Sequence, residues 1–192
     1  MPLAESTRGR LLVATPPLGD PNFDRTVLFM LEHTHSGAVG VVLNRIVHDI
    51  DDGDAALDLA ALTSWRLALA PPRQLFEGGP VGDDSLIGLA RGTGRNEDGW
   101  GAVTNTIGTV DLSMDPDEVA EDIRAIRIFR GYAGWAPSQL DAEIAAGAWM
   151  VFDAEEADLF TEQPDELWRT VVRRQGGRLA WIADAPDDLA AN

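Results

Sequence analysis

The chain has 192 residues and a formal net charge of −17, and its length and hydrophobic fraction of 45% fit one globular domain. Cysteine is absent and all 15 basic residues are arginine, which excludes disulfides, thiolate nucleophiles, Schiff-base lysines and a P-loop lysine. The negative charge disfavours direct binding of nucleic acid, because the phosphate backbone would be repelled.

The sequence predicts one domain over residues 1–192, with a frayed tail after about residue 184. Residues 1–10 lack the apolar run of a signal peptide, and no later apolar run is long enough to span a bilayer. We therefore expect a cytoplasmic protein without a membrane partner.

The first part of the chain predicts a core of consecutive strands. Leu11–Ala14, Thr26–Leu31 and Val39–Leu43 are apolar without polar alternation, which is typical of strands covered on both faces. The connection Glu32–Gly37 has the length of a hairpin loop. We therefore expect the second and third strands to be antiparallel neighbours.

The middle of the chain alternates polar loops with short apolar segments. After an acidic loop at Asp49–Asp54, helix-compatible spacing predicts a helix over Ala55–Leu69 that ends before a Pro-Pro pair. Short strands are predicted at Gln74–Phe76 and Ser85–Ala90, on either side of a Gly-Gly-Pro turn.

A helix start and a strand follow in the next part of the chain. Asp115 as N-cap, Pro116 after it and Glu118 at the third position predict a helix to about Ala125. Ile126–Phe129 alternates apolar and basic residues, which predicts a strand covered on one face. The glycine-containing segment from Gly131 to Trp135 interrupts that alternation and predicts a turn.

The last third predicts two helices and a strand between them. One helix follows Pro137 and ends at Gly147, and a strand follows at Trp149–Phe152. A final helix begins after Pro164 and ends at Gly176. It carries four apolar residues at helical spacing: Leu167, Trp168, Val171 and Val172.

One short segment contains residue types that commonly bind metal ions: Glu32, His33 and His35. Residues two apart on a strand share a face, so Glu32 would point away from both histidines, and no third ligand follows at a definite spacing. No serine lies in a Gly-x-Ser-x-Gly setting. We therefore predict no metal, no cofactor and no catalytic residue, and we consider an enzyme the less favoured interpretation.

Arginine, asparagine and aromatic side chains gather where strands end. The candidate ligand-binding residues are Arg25, Asn44, Arg45, Arg130, Tyr132 and Trp135. An arginine at the end of an apolar strand must be paired inside the fold or must face an anion. Pairing with Asp20, Asp24 or Glu32 is one interpretation, and a small anionic ligand is the other.

Acidic residues are concentrated in three clusters, Asp49–Asp54, Asp115–Asp122 and Asp153–Asp158. Such clusters commonly form a solvated surface that keeps a protein soluble. The alternative is a docking face for a basic protein partner. Both interpretations stay open at this point.

A series of different short motifs follows in order along nearly the whole chain. They are Gly9–Ala14, Asp20–Phe23, Arg25–Val27, Glu32-His33, Gly37–Gly40, Leu43–Arg45, Gly78–Val81, Arg130–Trp135, Gln139-Leu140, Glu143-Ile144 and Ala148-Trp149. Together they resemble the YqgE/AlgH family of bacterial proteins. Ile46 stands where that family usually has proline, and the acidic segment after it is richer than the family pattern.

The resemblance implies an α+β fold, with a largely antiparallel or mixed sheet curled into a partial barrel and flanked by helices. It implies no settled biochemical activity, although the AlgH name points to regulation of exopolysaccharide synthesis. Our first hypothesis is a regulatory or protein-interaction role without catalysis. The alternative is a protein or enzyme that binds a small anionic metabolite through an arginine and aromatic site.

Overall fold

A computed structural model of the protein describes residues 5–16, 23–47, 63–93, 99–119 and 122–183. The strands are β1 Arg10–Ala14, β2 Val27–Thr34, β3 Gly37–Val42, β4 Leu75–Glu77, β5 Val81–Arg91, β6 Trp100–Ala102, β7 Ile107–Val110, β8 Ala125–Trp135 and β9 Trp149–Asp153. The helices are α1 Pro116–Val119, α2 Gln139–Ala145, α3 Glu156–Leu159, α4 Leu167–Arg174 and α5 Gly177–Ala183, with a 3-10 turn at Pro164–Glu166. Among these described helices, none has the length and apolar character needed to cross a membrane.

The strands form one sheet in the order β6-β7-β5-β8-β3-β2-β1-β9. Neighbours along this order are antiparallel, whereas β4 lies beside β8 in parallel. The fold is α+β, and the curled sheet forms a half-barrel with several helices. This is the architecture that the family resemblance implied.

The first three strands are buried on both faces, which confirms the prediction from their unbroken apolar runs. Leu11 and Val13 of β1 pack in the cluster that α4 completes with Trp168. Leu12 lies on the opposite face of β1, in the cluster that contains Trp149 of β9. Both faces are covered because α4 contributes to the first cluster and Leu140 of α2 contributes to the second.

β2 and β3 are antiparallel neighbours, as their short connection predicted. The strands extend further than expected, so that only residues 35–36 join them and Glu32 and His33 lie within β2. Gly37 begins β3 with a φ of 134°. The prediction that a loop starts at Glu32 is therefore wrong, because the pairing of β2 with β3 continues beyond a bulge between Met30 and Glu32.

The strand predicted at Ile126–Phe129 is present in β8, but its predicted half-covered character and the turn predicted after it are wrong. Ala125–Phe129 is buried throughout, and Gly131–Trp135 continues the strand instead of forming a turn. The reason lies in what covers its two faces. Ile126 and Ile128 pack in a cluster with Trp65, whereas Phe129 on the opposite face packs in the cluster that α4 completes. Because both faces are covered, alternation of apolar and basic residues does not mark a solvent-exposed face here.

Other elements differ from the prediction at their ends. The described part of α1 ends at Val119, and Ala125, the predicted helix end, instead pairs with Arg91 of β5. β6, β7 and α5 were not predicted at all. The acidic loop Asp49–Asp54, most of the helix predicted over Ala55–Leu69 and the tail after residue 184 lie outside the described residues.

The predictions for the last third are confirmed in α2, β9 and α4. α2 buries Leu140 and ends just before Gly147, which has a φ of 79°. All four apolar residues predicted for the final helix are buried in α4. The two helices were predictable because each buries one apolar stripe and is followed closely by a glycine.

Candidate functional site

Asn44 ties the end of β3 to the chain that enters β2. Its side-chain oxygen accepts a hydrogen bond from the Val27 N–H at 2.9 Å, and its side-chain nitrogen donates to the Arg25 carbonyl at 2.9 Å. Arg25 adopts a left-handed φ of 49°, which a non-glycine residue keeps only when its surroundings impose it. Its guanidinium lies 5.4 Å from the ring centre of Trp168, within cation–π distance. Both predicted residues thus help to hold the strand ends together.

Trp135 belongs to a clamp built around Glu143 of α2. The Nε1 groups of Trp135 and Trp149 both donate to Oε2 of Glu143 at 2.8 Å. The other carboxylate oxygen accepts a hydrogen bond from Gln139 at 2.9 Å. Phe23 stacks on Trp135 with ring centres 6.5 Å apart. Because its ring is buried and its N–H is used, Trp135 fastens α2 to the sheet.

Tyr132 lies half-buried on β8, opposite Val81 of β5. Its ring is close to the backbone on either side: a Cβ built at Gly82 would lie 3.0 Å from it, and one at Gly134 would lie 3.4 Å from it. The ring therefore covers two glycines. At Gly82, which has a φ of 65°, the contact leaves little room for a side chain, whereas at Gly134 it is an ordinary one.

Arg45 and Arg130 are the predicted site residues that the fold brings near one another. Arg130 lines a recess of about 410 Å³, which we call the mixed-charge recess. Its other walls come from Ile46, Val47, Glu77, Pro80 and Asp83 and from the backbone of Gly79. Arg45 lines a smaller adjoining recess that shares Glu77, Gly79 and Pro80. Arg25 lines neither recess, so the three arginines do not converge.

The turn between β4 and β5 presses its backbone against β8 beside this recess. A Cβ built at Gly79 would lie 2.3 Å from the carbonyl carbon of Tyr132. A Cβ at Gly131 would lie 2.7 Å from the Gly79 carbonyl oxygen, and Gly131 has a φ of 66°. Glycine is thus required at residues 79 and 131 because the backbones of the turn and of β8 are in contact there.

Arg127 is a buried cation that the sequence pattern did not predict. It is 1% exposed, and its Nη2 donates to the carbonyls of Pro71 at 2.8 Å and Thr161 at 2.7 Å. Its guanidinium lies 4.2 Å from the ring centre of Phe76. Within the described residues, its Nε and Nη1 have no hydrogen-bond partner. Burial lowers the pKa of Arg127 to about 10, so the charge persists at neutral pH.

A second concave surface, which we call the acidic groove, has a volume of about 620 Å³. One side is formed by Ser64, Trp65, Leu67 and Ala68, and the other by Asp115, Pro116, Asp117, Glu118, Ile123 and Arg124. Trp65 is fully buried, whereas the side chain of Leu67 is 88% exposed. Sequence reasoning found the acidic cluster but not the apolar surface facing it, because that contact joins distant segments.

His33 is held in the core next to α2. Its Nδ1 accepts a hydrogen bond from the Thr7 N–H at 3.2 Å and lies 3.0 Å from the Thr7 hydroxyl. Its Nε2 lies 3.7 Å from a carboxylate oxygen of Asp141. The order hydroxyl, imidazole, carboxylate is that of a catalytic triad, but Thr7 is only 2% exposed and its hydroxyl is enclosed. The arrangement ties the N-terminal segment to β2.

The described residues include no group of three or more histidine, aspartate or glutamate side chains placed to hold a metal ion. His35 is exposed, in contrast to its neighbour His33. Glu32 is also exposed on β2. These three residues thus do not point to one centre.

Two further charged clusters are satisfied within the fold. The N–H and hydroxyl of Thr93 donate to Asp122 at 3.0 and 2.8 Å, which lowers the pKa of Asp122. Arg174 of α4 donates to both carboxylate oxygens of the buried Asp158 at 2.9 Å, and these hydrogen bonds raise the pKa of Arg174. Both clusters fasten elements to each other.

Comparison with known proteins relates this fold to one family. The AlgH-like family model matches residues 11–180. A UPF0301 protein of Streptomyces coelicolor is 45% identical over 97% of this chain and 96% of its own length. One from Mycolicibacterium smegmatis is 38% identical over 100% of this chain and 94% of its own length.

Two solved structures share the fold. A crystal structure of a protein from Corynebacterium diphtheriae has a TM-score of 0.82 at 28% identity and covers 95% of this chain and 94% of its own. The solution structure of the AlgH protein from Pseudomonas aeruginosa has a TM-score of 0.67 at 27% identity, with 98% of each chain covered. The chain therefore belongs to the AlgH-like (UPF0301) family.

Proposed function

We propose that this protein is a cytosolic, non-catalytic binding protein whose acidic groove holds a basic segment of a partner protein. One observation carries the proposal: an exposed leucine and three carboxylates border the same concave surface. Leu67 supplies the apolar contact, and the carboxylates are those of Asp115, Asp117 and Glu118. A segment with an apolar side chain between arginines or lysines would match both features.

The charge of the groove supports a basic occupant. Asp115, Asp117 and Glu118 are exposed, and within the described residues none of them forms an ion pair. Among the described residues that line the groove, Arg124 is the single basic one, so this lining carries three negative charges against one positive. The surrounding field would attract a cationic segment and repel an acidic one.

The apolar part of the groove supports a specific contact in addition to charge. A leucine exposed to 88% leaves most of its apolar surface in water. Covering such a side chain stabilises a complex by about 1.5–3 kcal/mol, which is a tenfold to hundredfold change in affinity. The buried Trp65 beneath it donates to the Leu112 carbonyl at 3.4 Å and gives the groove a fixed floor.

The groove can be tested with a fluorescein-labelled peptide in which arginines flank a single leucine. We expect saturable binding by fluorescence anisotropy that weakens with added salt, because exposed charge contacts are screened. Leu67→Asp should weaken binding at least tenfold, which corresponds to about 1.4 kcal/mol. Asp117→Asn with Glu118→Gln should reduce both the affinity and its salt dependence.

Matched controls separate the groove from general acidity. Trp181→Asp replaces another large apolar residue that is 82% exposed, and Glu162→Gln with Asp165→Asn removes two exposed charges elsewhere. Neither control should change the affinity. The proposal is wrong if a glutamate version of the peptide binds equally well, or if Leu67→Asp and Trp181→Asp have the same effect.

A further inference from the structure

We propose that the mixed-charge recess binds a small zwitterion, a molecule that joins a carboxylate, an ammonium group and an aliphatic side chain. The recess lies apart from the acidic groove, and the two share no lining residue. This inference therefore concerns a second site and does not depend on the proposed function.

Charges of both signs reach the recess from different strands. Arg130 comes from β8, Glu77 from the end of β4 and Asp83 from β5. A ligand with only negative charge would meet the carboxylates of Glu77 and Asp83, and a cation would meet Arg130. A zwitterion can place each of its charged groups beside the opposite sign.

The position of Asp83 follows from an irregularity in the sheet. Val81 pairs with Tyr132 and Leu86 pairs with Arg130, so that residues 82–85 of β5 lie opposite the single residue 131 of β8. Such bulges direct side chains away from the regular ladder and occur often beside functional sites. Here the bulge carries Asp83 to the wall of the recess, where Arg130 also lies.

The remaining walls fit an aliphatic group, and the volume limits the ligand size. Ile46 and Val47 are half-buried in the segment after β3, and Pro80 also lines the recess. A volume of about 410 Å³ lies in the range of small-molecule sites, about 300–1,000 Å³. It suits molecules between one amino acid and a dipeptide in size.

Leucine, glycyl-leucine and two neutralised analogues test this inference by calorimetry on the full chain. Leucinamide lacks the carboxylate, and N-acetyl-leucine lacks the ammonium group. We expect leucine or glycyl-leucine to bind with a Kd tighter than about 1 mM, and each analogue to bind at least tenfold more weakly. No binding of either zwitterion at that level would overturn the inference.

Variants then assign each charge. Asp83→Asn should abolish the preference for leucine over N-acetyl-leucine, and Arg130→Gln should abolish the preference over leucinamide. Asp84→Asn is the matched control, because Asp84 is exposed in the same bulge but does not line the recess. Circular dichroism checks that each variant is folded.

The analogues also distinguish other kinds of site. Equal binding of leucine and N-acetyl-leucine by the wild-type protein would indicate an anion site and overturn the inference. Equal effects of Asp83→Asn and Asp84→Asn would show that only general acidity matters, which also overturns it.

Discussion

The two halves of β8 differ in how completely their buried polar groups find hydrogen-bond partners. In the second half, Trp135 donates its N–H to Glu143, which accepts three hydrogen bonds in all. In the first half, Arg127 is almost completely buried, yet two of its nitrogens have no partner among the described residues. Arg130, which follows it on the same half, lines the mixed-charge recess.

This difference separates polar residues that only fasten the fold from those that also line a recess. The second half is bordered by β3 and α2, where the indole N–H groups of Trp135 and Trp149 both meet Glu143. The first half pairs with β5 in regular register as far as the bulge opposite Gly131 and meets β4 in parallel, and a recess remains between these elements. Within β8, we therefore look for binding in the first half and for stability in the second.

The largest effect should come from Gly131→Ala, at the boundary between the two halves. The new Cβ would lie 2.7 Å from the Gly79 carbonyl oxygen and 2.8 Å from that of Val81, at a φ of 66°. Strain and clash together should lower the free energy of unfolding by about 3 kcal/mol or more. Urea denaturation measures this change.

Gly134→Ala is the matched control on the same strand. Its Cβ would meet only the Tyr132 ring at 3.4 Å, an ordinary contact, and the residue is exposed. We expect a change within about 0.5 kcal/mol. Equal losses for both variants would show that the backbone contact is not what requires glycine at residue 131.

Glu143→Leu should have the next largest effect, because it leaves the N–H groups of Trp135 and Trp149 without an acceptor. Each unsatisfied buried donor costs about 1–3 kcal/mol, so we expect a loss of about 3 kcal/mol in the free energy of unfolding. Glu143→Gln should cost less, since one carbonyl oxygen can accept from both indoles. The assignment fails if leucine and glutamine at this position are equally stable by thermal and urea unfolding.

Arg127→Met should have a smaller effect than Gly131→Ala or Glu143→Leu, although Arg127 is the most deeply buried charge on β8. Methionine keeps an unbranched stem that can pack on Phe76, and it removes a charge whose burial is costly. The loss of two hydrogen bonds offsets much of this gain, so we expect a change of about 1 kcal/mol or less. A loss larger than that of Glu143→Leu would mean that Arg127 is well compensated and would reverse the comparison.

Elements that are marked by a pattern within their own segment were predictable. β1, β2 and β3 were found from unbroken apolar runs, and α2 and α4 from one apolar stripe and a glycine end. The coverage of β8 was predicted wrongly, because alternating apolar and basic residues indicate a half-covered strand only where one face of the strand meets solvent. Its burial depends on residues from other parts of the chain that cover its faces, such as Trp65 on one face and Trp168 on the other.

The candidate site was predictable only in part. Arg45 and Arg130 do lie beside a shared wall, whereas Asn44 and Trp135 use their polar groups inside the fold. No local pattern distinguishes these cases, because each residue follows or ends an apolar strand. Glu77 and Asp83 were missed because nothing in their neighbours along the chain marks them.

The sequence by itself determined which side-chain chemistries are excluded, because it contains no cysteine and no lysine. It also determined the central strands, the helices that bury one apolar stripe, and the family. It did so because composition, local periodicity and ordered motifs do not depend on distant contacts. Only the tertiary structure decided which charges are buried, which are paired and which border a recess. Those properties arise where segments far apart in the chain meet, as Pro71, Arg127 and Thr161 do in the core.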